Sequence, residues 1–567
     1  LESKLYKTAD YHAVRPTQES VNISIKKMDV PCVCPNPETD DTMRLTILYV
    51  CLYLKYATQT INPNRPFEIN GSAAPGQPYP GTKADAIETP LFKELAPSVS
   101  HIPVDEVNVK HEELSIEDHM RKKCRTVFCT PVDFIVKEKI LFDEQNKKIK
   151  EGNPHSFIKY GMVKQYGGFN AVFKKIQRFS LRFDSDCSGW DRRFFLLYVY
   201  LIRQKLTTNW MEFFSLWMYV SFFNIHSVIL LPDGSIYIRS TGNDSGKNNT
   251  TVDNSIGHLI ICFYFFIERL KFLKKEISLY AIIAYIELAI YSDDKTGSCD
   301  HEYWDFTIES FKEWEREIYS RFGLEIKPTQ QLVTLGAAGS LIDPRHSFLG
   351  SYAYYREDYG MYVPFPRVGK ICSSLINELP KLKNDLLFRR FLVLTTLLYP
   401  DKVLFEEAIS LTKKFMDENP EDNAIFQCIL EEENLNLETE CEFTKLYLGF
   451  EANADSLLFF LESDSSITHE LWKFEDFNGS TNHENSYKKD HSSRSVETKD
   501  KKKDGENNGQ STSNNETKTR YNHDSEGQTT NCSSYSSVCR QLRRSIVQPV
   551  EFRFGSMSSL RSPTSSL

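Results

Sequence analysis

Ile286-Glu287-Leu288-Ala289-Ile290-Tyr291-Ser292-Asp293-Asp294 is an apolar run that ends in two adjacent acids. A strand that closes on paired carboxylates can hold divalent metal ions against phosphate oxygens. Taken alone the stretch is ambiguous, because Ser-Asp-Asp followed by Lys295-Thr296-Gly297 also reads as an ordinary polar turn. Its weight depends on whether the remaining chain supplies the other parts of a nucleotidyl-transfer site.

Two further segments do. Phe179-Ser180-Leu181-Arg182-Phe183 alternates as a strand does and ends in Asp184-Ser185-Asp186-Cys187-Ser188-Gly189-Trp190-Asp191. Asp186 sits where that strand is expected to end, and Asp191 starts the next element. The spacing predicts one carboxylate beside Asp293 on a neighbouring strand and a second that reaches a bound sugar. By themselves they would pass for two surface acids in a loop. Between these acids and the Ser-Asp-Asp turn lies Ser245-Gly246, a flexible loop, followed by a helix with Thr250 and Asn254 one turn apart on one face. Hydroxyl and amide groups so placed can hydrogen-bond a ribose and its base. At roughly one in fifteen per residue type, S-G-x-x-x-T-x-x-x-N arises by chance about once in a hundred such chains. In order with D-x-x-x-x-D and S-D-D, coincidence becomes remote.

The bulk properties are compatible with this. The chain has 567 residues, 40% hydrophobic and 13% aromatic, enough for a large core and several subdomains. A net charge of −9 excludes a uniformly basic nucleic-acid binder, so any such surface is local. The 13 cysteines are scattered; Cys32 and Cys34 form a lone C-x-C, and neither a zinc site nor a disulfide framework is readable. Reduced cytosolic thiols are expected. No uninterrupted apolar run reaches the roughly 18 residues of a membrane span. The chain begins at Leu1 rather than Met, as a fragment or a product cut from a polyprotein would.

Along the chain, 1–100 is rich in turns, with the Pro- and Gly-dense loop 70–81. Residues 105–178 are basic, including Lys110, Arg121, Lys122, Lys123, Arg125, Lys137 and Lys147. Solvated faces are the bland reading and are expected for Lys147–Lys150, but 121–125 leads into Thr126-Val127-Phe128-Cys129, a predicted strand that would hold its cations in place. A helix is expected over 194–206, and a hairpin over 228–238 about Pro232-Asp233-Gly234-Ser235. A buried helix over 255–272, an amphipathic helix over 305–322 and a strand over 348–355 follow. Beyond 370 the pattern predicts helices at 386–398, 403–416, 424–432 and 456–461. From 475 onward Asn, Ser, Thr and charged residues dominate, and the tail is read as disordered.

With these motifs in order, the chain resembles viral RNA-dependent RNA polymerases of the positive-strand, picornavirus-like supergroup, with an astrovirus-like G-N-x-S-G…T-T-x-D-N. The resemblance covers 70–360 by motif and extends to about 465 by helical pattern. It implies an α+β right-hand polymerase: N-terminal extension and fingers over 1–178, and a palm of antiparallel sheet and flanking helices over 179–360 with a fingers insertion near 207–240. A helical thumb over 361–474 and the disordered tail 475–567 complete it. It implies that Asp186, Asp293 and Asp294 are catalytic and bind Mg²⁺, with Mn²⁺ as a substitute. Lys110, Lys123, Arg125, Asp191, Ser245, Gly246, Thr250 and Asn254 would contact the nucleotide, and Ser72 and Gly76, in the loop 72–79, the template. Phe348-Leu349-Gly350 stands where the family has its primer-grip hairpin. Implied partners are a single-stranded RNA template, nascent RNA, ribonucleoside triphosphates and other viral replication proteins. The implied setting is the host cell cytoplasm, in a replication complex attached to membranes through other proteins.

Three departures stand out. Ser292 replaces the usual Gly, though Ser-Asp-Asp is known in related viral polymerases; Gly accepts a positive φ that Ser does not. Asp244 stands where Pro is usual. At the position of the family's proton-donating lysine, ungapped alignment places Gln331, with Lys327 nearby. The rival readings are a reverse transcriptase, against which Asp191 argues because that class blocks the 2′-hydroxyl with a bulky residue, and an inactive RNA-binding polymerase-like module.

Overall fold

The alternation at 179–183 initiates the strand Leu181–Ser188, which lies second in a four-stranded antiparallel sheet. Glu325–Leu335 flanks it on one side and Asp294–Cys299 on the other, with Ile286–Tyr291 beyond. The strand therefore runs past its expected end, and Asp186 lies inside it rather than in a following turn. Asp294–Cys299 pairs with it as far as Ser185, and Glu325–Leu335 alone extends it to Ser188, through residues whose polar side chains read as a loop.

The computed structural model describes residues 11–13, 17–26, 32–54, 69–110, 113–120, 124–357 apart from 154, 165–166 and 244, then 360–376 and 401–418, with isolated residues at 395, 397–398, 420, 423–425, 427–428 and 518–519. The expected helix at 456–461, most of those at 386–398 and 424–432, and nearly all of the tail lie outside these residues, while 424–425 and 427–428 are helical. The expected 403–416 helix is Lys402–Glu418. In the tail, Lys518–Thr519 pairs with Ile69–Asn70.

Behind the central sheet runs the long helix Thr250–Phe272, packed against Ile286–Tyr291 and against the helices Asp41–Leu54, Leu196–Lys205 and Ile308–Arg321. By length and composition it could cross a membrane, but 89% of its apolar window is buried in the protein, which makes it a core helix. Asp41–Leu54 corrects the expectation of a turn-rich N-terminal region: Asp40 accepts from Met43 N, and Met43, Val50 and Leu54 enter the core. Apolar residues all round, several β-branched, hide its helical period. The 20-residue helix Val132–Glu151 is a further element that the side-chain pattern does not mark, and its Lys137 is fully buried against Asp133 at 2.8 Å.

A second sheet is ordered Thr126–Cys129, Val104–Val109, Ser227–Leu230, Ile236–Arg239, and the expected 228–238 hairpin forms its far half. In a third, Ser347–Phe348 and Ser351–Arg356 pair about Leu349-Gly350, with Met361–Pro366 outside. The single strand expected over 348–355 is thus a hairpin, since Leu349 and Gly350 turn at φ 52° and 69°. Every cysteine among the described residues is a free thiol.

Candidate active site

Tyr291 pairs with Asp294, so Ser292 and Asp293 are the two-residue loop of the hairpin that joins the last two strands of the central sheet. Ser292 has φ 61° and Asp293 does not turn positive, the pattern of a type II′ turn, whose first central position favours Gly. For an L residue that conformation costs roughly 1–2 kcal/mol. One turn of the long helix holds it there. Ser292 N donates to Ser255 Oγ at 2.8 Å, Asn254 Nδ2 donates to Ser292 Oγ at 3.1 Å, and His258 Nδ1 meets Ser292 O at 3.2 Å.

The hairpin brings Asp293 and Asp294 within electrostatic reach of Asp186 on the adjacent strand. Asp293 and Asp294 are open to solvent at their tips yet closely surrounded by protein, and this desolvation is the first cause that raises both carboxyls. For Asp294 the charges of Asp293 and then Asp186 add to it, and the carboxyl is pushed up to about 7 against the opposing charges of Lys164 and Arg367. For Asp293 the charge of Asp186 raises and that of Arg125 lowers. Gln330 Nε2 donates to Asp186 Oδ2 at 3.3 Å from an irregular stretch of the flanking strand, between Ile326 and Gln331, where register is lost. Hard carboxylate oxygens gathered on adjacent strands are a donor set suited to Mg²⁺ or Mn²⁺. Among the described residues no three acidic, His or Cys side chains already converge on one point.

Other predicted residues divide. Asn243 joins two of them: its backbone N donates to Asp191 O at 3.0 Å and its Nδ2 to Asn254 Oδ1 at 2.8 Å. Thr250 begins the long helix, and its Oγ1 donates to Lys247 O at 3.1 Å. The Ser245-Gly246 loop is not loose. Phe128 N donates to Ser245 O at 2.8 Å, Lys247 Nζ donates to Ser227 Oγ at 2.6 Å, and both contacts stitch the loop to the second sheet. Gly246 has φ 107°, and a Cβ there would lie 2.5 Å from Phe128 O. Arg125 immediately precedes the strand Thr126–Cys129, and its carbonyl accepts from Lys110 N at 2.9 Å. Lys123 and Asp244 lie outside the described residues. Ser72 is exposed, its Oγ donating to Asn70 Oδ1 at 2.9 Å, whereas Gly76 is buried with φ 73° against the Thr130–Pro131 backbone. Gln331 is buried, its amide donating to Glu315 Oε2 at 2.6 Å, while Lys327 is exposed in the irregular stretch.

Residues 68–331 match the family model described as viral RNA-dependent RNA polymerase. That segment belongs to this family. Relatives of the polymerase segment include the genome polyprotein of Lettuce mosaic virus (strain E), 28% identical over 220 residues that cover 37% of this chain and 7% of the polyprotein. That of Ryegrass mosaic virus (isolate Denmark/Danish) is 25% identical over 329 residues, 54% of this chain and 10% of the polyprotein. That of Pea seed-borne mosaic virus (strain DPD1) is 29% identical over 206 residues, 33% and 6% respectively. The chain thus spans about a tenth or less of the length of these relatives.

The RNA-dependent RNA polymerase segment carries further residues near the acids that motif reading did not single out. Lys164 Nζ donates to Leu349 O and Ser351 Oγ, both at 3.0 Å, and places its charge by Asp294. Beneath the loop before the long helix, Glu138, Asn249, Asn146, Arg203 and Asp253 form a buried polar network. Nothing local in the sequence marks these residues, because each partner comes from a distant segment.

Proposed function

We propose that this chain catalyses template-directed addition of ribonucleotides to an RNA 3′ end. The observation that carries the proposal is the placement of Asp186 on one strand beside the hairpin that carries Asp293 and Asp294, close enough that the charge of Asp186 raises both of their carboxyls, with the Arg125 cation felt at Asp293. In this reading the central sheet and long helix are the palm, the second sheet belongs to the fingers, and 361–474 is the thumb. Asp186 and Asp293, with Asp294 assisting, would hold Mg²⁺, or Mn²⁺ in its place, which when bound supplies charge stabilisation at the attacking and leaving oxygens.

The protein's own work is positioning. Arg125, with Lys110 and Lys123, binds the triphosphate. Asp191 and Asn254, bridged through Asn243, read the ribose 2′-hydroxyl, and Ser245, Gly246 and Thr250 contact the nucleotide. Ser72 and Gly76 guide the template. Lys327 is the nearest candidate to protonate pyrophosphate, as Gln331 is turned into the protein. The substrates would be a single-stranded RNA template, its nascent product and ribonucleoside triphosphates. Relatives named as genome polyproteins support cleavage from a longer chain. The proposed setting is the host cell cytoplasm, with other viral replication proteins that attach the complex to membranes.

Primer extension on an RNA template is the test, with Asp293→Ala as the control. Equal product from both proteins would remove the proposed site. Preference for dGTP over GTP would turn the reading toward reverse transcription.

A further inference from the structure

His258 is buried in the long helix, one turn beyond Asn254, and contacts the acidic turn from beneath through Ser292. Its Nδ1 lies 3.2 Å from Ser292 O, its Nε2 lies 2.6 Å from the Tyr319 hydroxyl, and its ring rests on Trp190 with centroids 4.5 Å apart. Lys295 Nζ, one residue past Asp294, donates to the same Tyr319 hydroxyl at 2.9 Å and pairs with Glu315. Glu315 in turn accepts from Ser185 Oγ at 3.0 Å, one residue before Asp186.

The direction of each bond follows from which groups can donate. A carbonyl only accepts, so the proton facing Ser292 O is on His258 Nδ1. An ammonium only donates, so the Tyr319 oxygen accepts from Lys295 and its one proton is free for His258 Nε2. The result is a single ordered chain, Lys295 to Tyr319 to His258 to Ser292 O, that selects one tautomer of a neutral imidazole; burial independently pushes His258 well below the usual histidine range. The Cys262 thiol also lies against the Tyr319 hydroxyl.

Such a chain has a purpose that packing does not explain. Ser292 sits at a positive φ with no glycine to make it easy, and its carbonyl orientation sets where Asp293 leaves the turn. Trp190, on the other face of His258, precedes Asp191. We infer that His258 is the positioning residue of the site, which, oriented by Tyr319 and Lys295, fixes the Ser292 carbonyl and thereby the geometry of Asp293 and Asp294. The inference rests on the proposed polymerase reading for what the acids do, but not for how they are held.

The test uses the full chain and Mn²⁺ alone as the probe, titrated by electron paramagnetic resonance without RNA or nucleotide, alongside primer extension. Tyr319→Phe and His258→Phe keep an aromatic ring and break the chain; His258→Asn keeps an amide donor where Nδ1 stood. Both Phe variants, with near-ultraviolet circular dichroism like the wild type, should bind Mn²⁺ about tenfold more weakly and lose about tenfold in kcat with KM for nucleotide within about twofold, the scale of lost outer partners of metal ligands. His258→Asn should recover most of the Mn²⁺ affinity. Should His258→Phe not fold, Tyr319→Phe decides alone. Wild-type Mn²⁺ affinity in a folded Tyr319→Phe chain, or a His258→Asn chain as weak as His258→Phe, overturns the inference. A wild type that binds Mn²⁺ but extends no primer defeats the polymerase reading and leaves the Mn²⁺ comparison to judge His258.

Discussion

Asn254 Nδ2 donates to Ser292 Oγ at 3.1 Å, so the residue expected to read a ribose also braces the turn that carries the paired acids. Two motifs separated by 38 positions share one hydrogen bond, and Ser292 is the side chain that makes it possible. The usual Gly could adopt φ 61° without strain, but it would offer Asn254 no hydroxyl.

Ser292→Gly should therefore be nearly neutral in stability. Relief of about 1–2 kcal/mol of backbone strain is offset by the lost hydrogen bond, about 0.5–1.5 kcal/mol, and by added freedom of the unfolded chain. Ser292→Ala keeps the strain and loses the bond, and should be less stable than Ser292→Gly by about 1 kcal/mol or more. Urea unfolding of the three proteins orders them; an Ala variant more stable than the Gly variant would contradict the strained turn.

Seating of the loop before the long helix depends on Gly246, whose φ is 107° with Phe128 O directly over the missing Cβ. Gly246→Ala should cost about 1–3 kcal/mol locally and displace Ser245 from its bond with Phe128 N. Primer extension should fall steeply while the thermal midpoint drops by only a few degrees. An Ala variant of full activity would show that the seating is dispensable.

Glu138 is fully buried, accepts from Asn224 at 2.9 Å and Asn249 at 3.2 Å, and its Oε2 has no hydrogen-bond partner. Burial is the main cause that raises its carboxyl to about 7. The folded state then keeps a proton that the unfolded chain releases above about 4.5. Stability from this group is highest below that value, falls as pH rises toward 7 and levels off beyond. Glu138→Gln should flatten the slope and exceed the wild type at pH 8, by on the order of 2 kcal/mol. Unfolding at pH 5 and pH 8 measures both; an unchanged difference would refute the buried proton.

Asp191 and Asn254, linked by Asn243, should separate ribo- from deoxynucleotides. Loss of a hydrogen bond to a charged group is worth about 1.5–3 kcal/mol, so Asp191→Ala should lower the GTP over dGTP preference by about ten- to a hundredfold. The ratio of kcat/KM for the two substrates reads this directly. If both fall equally, Asp191 serves catalysis in some way other than sugar choice.

What local sequence could show, it showed. The alternation before Asp186, the Pro-Asp-Gly hairpin and the apolar run into Asp293-Asp294 follow from side-chain period and turn chemistry, which act over a few residues. Those same rules fail where the period is blurred, in Asp41–Leu54 with its apolar residues all round, and they do not show that Lys137 is buried against Asp133. The order of the acidic and Ser-Gly motifs along the chain was likewise enough to suggest the chemistry. Only the tertiary structure decided how the acidic turn is held: Ser292 at a positive φ, the carbonyl on His258, and Lys295 and Tyr319 choosing its tautomer. Hydrogen-bond direction depends on which groups folding brings face to face, and residues from 185 to 319 meet there without any shared local pattern.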